Sequence, residues 1–335
     1  MKSAKYFLLS IIFGGSITTC FAQQDIQFSQ YVFNGLAVNP AYAGYRGDLY
    51  LNSTYRKQWV GIPGSPQTAV LSVDGLTRVK DDKVAVAGQV MWDKLGPQES
   101  LSFYGTYAFR IPLDNTGLRR LCLGLSAGVT QYSLDGTVLQ YTDPNDPDLP
   151  TVKASTIVPD ANFGIYYYTP NFYAGLSFLD MFSLNQDRSI YYSGGFKYAT
   201  IRKSPHVYLT AGTMVKLSET VQLKPSILIK EDFKGPTSVD FNLLALFVDK
   251  IWIGGSYRTG ISWSGKSGYQ PDLESSAAVS AMMEFFATEN LRIGYSYDFT
   301  TNGLSNYQNG SHEISLGIRF PGKRNADRIW HPRYF

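Results

Sequence analysis

Residues 27–59 read QFSQYVFNGLAVNPAYAGYRGDLYLNSTYRKQW, and the reading changes character at Asp48. Gln27 to Gly44 carries no charge. Its Asn34-Gly35, Asn39-Pro40 and Ala43-Gly44 pairs are turn signals that break up any helix or long strand. From Asp48 the residues alternate. Leu49, Leu51, Ser53 and Tyr55 share one face; Tyr50, Asn52, Thr54 and Arg56 share the other. That is the period of a strand between two different surroundings. A nonhelical leader therefore feeds the first strand of a β series.

The alternation recurs downstream. Leu101, Phe103, Tyr107, Phe109 and Ile111 oppose Ser100, Ser102, Tyr104, Thr106 and Arg110. Leu121 to Val129 oppose Arg120 to Thr130. Ile293, Tyr295, Tyr297 and Phe299 oppose Arg292, Ser296 and Asp298. Ile314 to Phe320 oppose Ser315, Gly317 and Arg319. A soluble sandwich has an inner face rich in Val, Ile and Leu. A transmembrane barrel has roughly ten-residue strands, an apolar band toward lipid and aromatics near the interfaces. The chain has 24 Tyr, 20 Phe and 31 Gly, with only 17% charged residues, which favours the barrel. Aromatics placed near strand ends include Phe103, Tyr166 to Tyr168, Phe172, Tyr257 and Phe299.

Fifteen stretches qualify as strands, whereas bacterial single-chain barrels use even numbers, with short periplasmic turns and longer extracellular loops. The tight turns at Pro170, 218–220, Asp249 and 288–289 then belong to the periplasmic end. This parity removes the candidate 190–200. The expectation is an all-β transmembrane antiparallel barrel of about 14 strands, the size of fatty-acid-transporter barrels. Loops 133–159, 179–205, 260–274 and 301–310 become extracellular.

The expected organisation is a signal peptide at 1–22, a leader at 23–46, the barrel at 47–320 and a periplasmic tail at 321–335. Lys2 and Lys5, an apolar run from Tyr6 to Phe13 and the Cys20-Phe21-Ala22 end have the three regions of a secretory signal, with cleavage after Ala22. Thr19 suits a lipoprotein signal at Cys20 poorly. The apolar run is shorter than the ~20 residues of a spanning helix. The net charge of +3, less the two lysines, leaves +1 and no basic field for nucleic acid. Cys122 remains as a single cysteine, without an internal disulfide partner.

The polar face carries Arg56, Arg110, Arg120, Arg258, Asp298 and Arg319, with Asp48, Asp74, Asp93, Lys224, Lys230, Asp240, Glu284 and Arg292. An Arg or Lys facing lipid would cost about 2–4 kcal/mol at mid-bilayer, so this face belongs to the lumen. There the charges either pair or line a selective path. The leader stays at the periplasmic mouth or folds into the lumen.

FSQYVFN, NPAYAG and YRKQWVG, followed by a proline turn and the strand Pro66 to Val73, resemble the PorP/SprF family of Bacteroidetes outer-membrane proteins. Ile293 to Asp298 and Ser311 to Ile314 extend the resemblance over most of the exported chain. It implies an outer-membrane accessory of the type IX secretion system. Its partners would be secretion components and a secreted or surface-anchored cargo, with gliding adhesins among the family's cargo, and outer-membrane lipid around it. The resemblance marks Phe28, Gln30, Tyr31, Asn39, Pro40, Ala41, Tyr42, Gly44 and Trp59 as partner or plug contacts.

The alternative is a transporter of small or hydrophobic solutes, with a lateral opening near Pro225 or Gly254-Gly255. No enzyme is expected. His206, His312 and His331 are far apart in sequence, and Ser311 and His312 fall on opposite faces of one strand. No phosphate loop, metal spacing or dinucleotide fingerprint appears, so no cofactor is expected. Asp143, Asp146 and Asp148 in DPNDPDLP lack the glycine and terminal glutamate of a calcium loop and read as solvated acid. The tail after Phe320 is basic with aromatics, either a docking segment or a loose end.

Overall fold

The computed structural model describes residues 27–77, 82–139, 152–184, 189–193, 196–199, 204–233, 235–261 and 278–322. The expected signal peptide, the acidic run 143–150, most of the loop 260–274 and the tail from 323 lie outside the described residues.

Fourteen antiparallel crossings close on themselves. They are β1 (Leu49–Lys57), β2 (Gln67–Leu76), β3 (Val84–Leu95), β4 (Gln98–Pro112), β5 (Arg120–Asp135), β6 (Lys153–Tyr168) and β7 (Phe172–Leu179). Then come β8 (His206–Thr213), β9 (Val221–Glu231), β10 (Thr237–Phe247), β11 (Ile251–Ile261), β12 (Ala278–Phe286), β13 (Leu291–Thr300) and β14 (Ser311–Phe320). A short piece, Val215–Lys216, continues β8 beyond Met214, so fifteen hydrogen-bonded segments make fourteen crossings. Each crossing pairs with its neighbours in sequence, and β1 pairs with β14 from Leu49↔Phe320 to Lys57↔His312. Full closure leaves the ladder without an open edge, which lipid requires.

The candidate 190–200 does not cross. Ser189–Ser193 and Phe196–Ala199 form a separate two-stranded hairpin within the connection between β7 and β8. Parity of strand direction groups the turns as expected: Pro170, 218–220, Asp249 and 288–289 share one end with both ends of the barrel chain. One boundary needs correction. The loop expected at 133–159 is shorter, because β5 runs to Asp135 and β6 restarts at Lys153, paired together. The alternation there is blurred by Ser133, Asp135 and Ser155, polar residues on the outward face where β5 and β6 run on toward the long-loop end.

The two faces divide as the alternation implies. On β1, Tyr50, Asn52, Thr54 and Arg56 are buried in the bore, while Tyr55 is exposed on the outside. Phe103, Tyr107, Leu125, Phe241, Leu243 and Phe299 are exposed outward. Exposure to solvent here means exposure to lipid, which explains a membrane protein's apolar exterior. Tyr166 and Tyr168 correct the aromatic reading: they point inward and are buried. Three consecutive tyrosines at 166–168 alternate faces, so only Tyr167 belongs to the outer surface.

Candidate functional site

The leader runs down the bore. Three short 3-10 turns, Gln30–Phe33, Gly35–Ala37 and Pro40–Tyr42, fold it tightly enough to fit. Gln27 Oε1 accepts a bond from Arg258 at 3.1 Å, and Ser29 and Gln30 bind Glu313. These wall residues lie near the long-loop ends of β11 and β14. Phe33 sits lower, where its carbonyl accepts from both Arg292 (3.0 Å) and Arg46 (3.1 Å). Gly44 donates to Asp74 at 2.7 Å, and Tyr45 packs edge-on against Tyr168 at 4.8 Å, near the short-turn end. The leader thus enters from the long-loop end and leaves into β1 at the other.

Its upper fastening is ionic. Glu313 accepts the backbone N–H of Ser29 and of Gln30, both at 2.9 Å. Arg56 lies 3.1 Å from Glu313 and 2.6 Å from Asp298, and all three side chains are buried. The Ser29 hydroxyl donates to Asp298 at 2.8 Å and accepts from Arg56 at 3.2 Å. Charges buried this deeply persist only when paired and hydrogen-bonded.

The middle is held by aromatic and polar contacts. Asn242 donates to the Tyr31 hydroxyl. Lys224 donates to the Val32 carbonyl at 3.2 Å and lies 5.6 to 5.9 Å from the rings of Trp252, Phe33 and Tyr173. Such placement over ring faces offsets part of the cost of burying an ammonium.

The NPAYAG segment docks on β5, β6 and β7. Asn39 caps its own turn by accepting from Ala41 at 2.9 Å. Its amide donates to the carbonyls of Ile165 (3.0 Å) and Leu176 (3.3 Å), one from each of two paired strands. Gly124 and Gly164, cross-strand partners, make the approach possible. A Cβ on Gly124 would collide with the backbone of Pro40 and Ala41, and one on Gly164 with the Asn39 side chain. Tyr42 completes the fit edge-on to Tyr166 at 5.6 Å. Cavities between leader and wall include one of about 60 Å³ by Tyr31, Val38, Tyr104 and Lys230 and one of about 20 Å³ by Tyr42 and Tyr173. Each is large enough for no more than a few waters.

The structure therefore brings Phe28, Gln30, Tyr31, Asn39, Pro40, Ala41, Tyr42 and Gly44 together, all buried. Trp59 stands apart, in the loop after β1, where its backbone N–H donates to the Ser311 hydroxyl at 3.1 Å. Of the charges singled out, Arg56, Asp298 and Arg258 meet leader residues. Arg258 also pairs with Asp240 at 2.5 Å. Arg110 bonds the Tyr168 hydroxyl at 2.6 Å. Arg120 and Arg319 are rim residues that serve turns: Arg120 bonds the Gly117 carbonyl and Arg319 the Asn290 side chain. The sequence reading missed Glu313. Ser311, Glu313, Ser315 and Gly317 continue the inward parity of β14, a signal that was there to find. His312 faces outward and bonds Tyr295, away from the inward Ser311. Among the described residues no group of three His, Cys, Asp or Glu is arranged to hold a metal.

The hydrogen-bond ladder between β8 and β9 is interrupted at Pro225. Gly212 pairs with Ser226 and Val215 with Leu223, and the intervening Met214 and Lys224 are buried. At Gly254 and Gly255 the ladder is continuous on both sides.

Solved outer-membrane barrels share this fold. The CymD monoaromatic hydrocarbon channel superposes with a TM-score of 0.50 at 11% identity, over 89% of this chain and 94% of that one. A Pseudomonas aeruginosa FadL homologue gives 0.44 at 10% identity, over 91% and 96%. The outer membrane protein Omp33 of Acinetobacter baumannii gives 0.44 at 10%, over 83% and 100%. No curated protein matches by sequence. Residues 20–318 match the family described as type IX secretion system membrane protein PorP/SprF. That match covers nearly the whole barrel and its leader, and the chain belongs to the PorP/SprF family.

Proposed function

We propose that this outer-membrane barrel is an accessory of type IX secretion that holds protein partners at its rims and loops, and that its leader is a plug. Cargo does not pass through its bore. The observation that carries this reading is the leader itself, which occupies the lumen and is fastened at Glu313, Phe33 and Asn39. A fourteen-strand barrel filled in this way has no room for a folded protein. Support for partner binding comes from family membership and from the loops gathered at one end. In this reading the chain performs no catalytic step, and the partners are secretion components together with secreted or surface-anchored proteins.

Deleting the gene and comparing surface and secreted proteomes tests it. Loss of one or more type IX cargoes, restored by the wild-type chain, is the expected result. An unchanged set of cargoes and surface adhesins overturns it. The interrupted ladder at Pro225 favours a second reading, lateral passage of a small hydrophobic solute such as the monoaromatic hydrocarbons in the name of CymD. Uptake of a labelled hydrocarbon by vesicles containing the purified barrel would establish that reading.

A further inference from the structure

On the outer face the strand register lines up a polar row. Tyr297 of β13, His312 of β14, Lys57 of β1, Gln67 of β2 and Lys94 of β3 are successive cross-strand partners. Their neighbours Asp298, Ser311, Arg56 and Thr68 are buried in the bore, so the row faces out. Strands lie about 4.8 Å apart, which places Lys57 and Lys94 roughly 10 Å from each other across Gln67. Both lysines are exposed. Asp135, on the outward face of β5, is within electrostatic reach of Lys94 but is held mainly by the hydrogen bonds it accepts from Thr137. Polar partners flank them. The Tyr295 hydroxyl meets His312 Nδ1 at 2.7 Å, and Tyr55 donates to Gln67 at 3.0 Å. The next residue in the row, Glu99, is engaged otherwise: it accepts from Trp92 at 2.7 Å and lies 3.8 Å from Lys153.

Toward the membrane centre, the same strands carry an apolar groove of about 460 Å³, lined by Leu71, Val73, Gly88, Val90, Phe103 and Gly105. It exists because Gly88 and Gly105 are cross-strand partners without side chains. A Cβ on Gly88 would meet only Val73 at 3.7 Å, and one on Gly105 only the Ala127 carbonyl at 4.0 Å. The space is open, so packing within the protein does not demand glycine there. Leu71 and Val90 stand four residues below Gln67 and Lys94, and Val73 and Gly88 six below. At ~3.3 Å per residue the groove spans about 13 to 20 Å from the lysine row. That is the reach of one acyl chain from its headgroup.

We propose that this face binds a phosphorylated glycolipid of the outer leaflet, with one acyl chain in the Gly88–Gly105 groove and its phosphates on Lys57 and Lys94. The row lies at the long-loop end, which the short turns at the other end make extracellular. Two lysines about 10 Å apart suit a headgroup with two separated phosphates better than a phospholipid with one.

The test titrates bisphosphorylated lipid A onto the detergent-purified full chain and counts bound lipid by native mass spectrometry. The wild type should retain one molecule. Lys57→Gln with Lys94→Gln should weaken retention by about thirtyfold at low salt. Gly88→Leu with Gly105→Leu, with both charges intact, should abolish retention. Lys216→Gln, exposed at the short-turn end, should leave it unchanged. Heat-dependent gel mobility shows that each variant is a folded barrel. Equal retention by the double-glutamine variant overturns the proposal. So does equal retention of dephosphorylated lipid A or of phosphatidylglycerol by the wild type.

Discussion

Arg56 and Asp298 meet at 2.6 Å on the inner wall, two strands apart, with the Ser29 hydroxyl bonded to both. The pair therefore joins the barrel seam, where the first strand meets the last, to the start of the leader. Arg56→Met would leave Asp298 and Glu313 buried without their shared cation. Removing one member of a buried ion pair costs on the order of 3–5 kcal/mol. The urea midpoint of the detergent-folded barrel should fall accordingly. Lys216→Met is the control: its pair with Glu219, at 2.9 Å, is also within contact but exposed, and is worth under about 1 kcal/mol. A similar loss for both variants would remove the lock from the account.

Gly124→Val tests the docking of NPAYAG. The new side chain would collide with the Pro40–Ala41 backbone, whereas the wall behind it would be untouched. Overpacking of this kind costs about 1–3 kcal/mol. The leader should loosen before the barrel does, so limited proteolysis should cut within residues 35–45 while the fragment from 49 onward stays protected. Gly105→Val, on the outer face with open space around it, should change neither pattern.

The fold was legible because lipid and lumen impose opposite chemistry on alternate residues. Arg56, Arg110, Arg292 and Asp298 could not face lipid, so their parity fixed the inner face of three strands before any pairing was known. The even-strand rule then removed 190–200, which forms the separate hairpin. The leader was less legible. Nothing in the periodicity of QFSQYVFNGLAVNPAYAG says where its Asn, Gln and Tyr find partners, because those partners lie more than a hundred residues away: Asn39 on Ile165, Gln30 on Glu313, Tyr31 on Asn242. Glu313 was passed over for a different reason. Its charge sits at the start of β14, and its inward parity shows only when the run Ser315 and Gly317 is continued backward through 313 to Ser311.

Removing residues 27–46 should convert a silent barrel into a conducting one. The leader occupies the bore, and the two voids described beside it, about 60 and 20 Å³, have room only for a few waters. In planar bilayers the full chain should show no steady conductance. The deletion should open a constant ohmic pore, provided the folded form survives the loss of the contacts to Glu313 and Lys224. The Gly124→Val variant, which keeps the whole leader, should flicker between the two levels. Steady conductance in the full chain would mean that the plug leaves the bore readily.

The direction of the leader gives the barrel an orientation that labelling can read. Gln27 lies at the long-loop end with Arg258, and the chain emerges into β1 at the short-turn end. Short turns belong to the periplasm in barrels of this kind, so the loop holding Tyr307 faces the medium and the turn holding Glu219 faces the periplasm. Tyr307 is 75% exposed, and the Glu219 side chain is 91% exposed, so both positions tolerate a cysteine. Native Cys122 is buried and should stay silent. A membrane-impermeant maleimide added to intact cells should label Tyr307→Cys and leave Glu219→Cys unlabelled until the outer membrane is opened. The reverse pattern would invert the barrel. It would then place the Lys57–Lys94 row in the inner leaflet, and a phospholipid would replace the glycolipid as its partner.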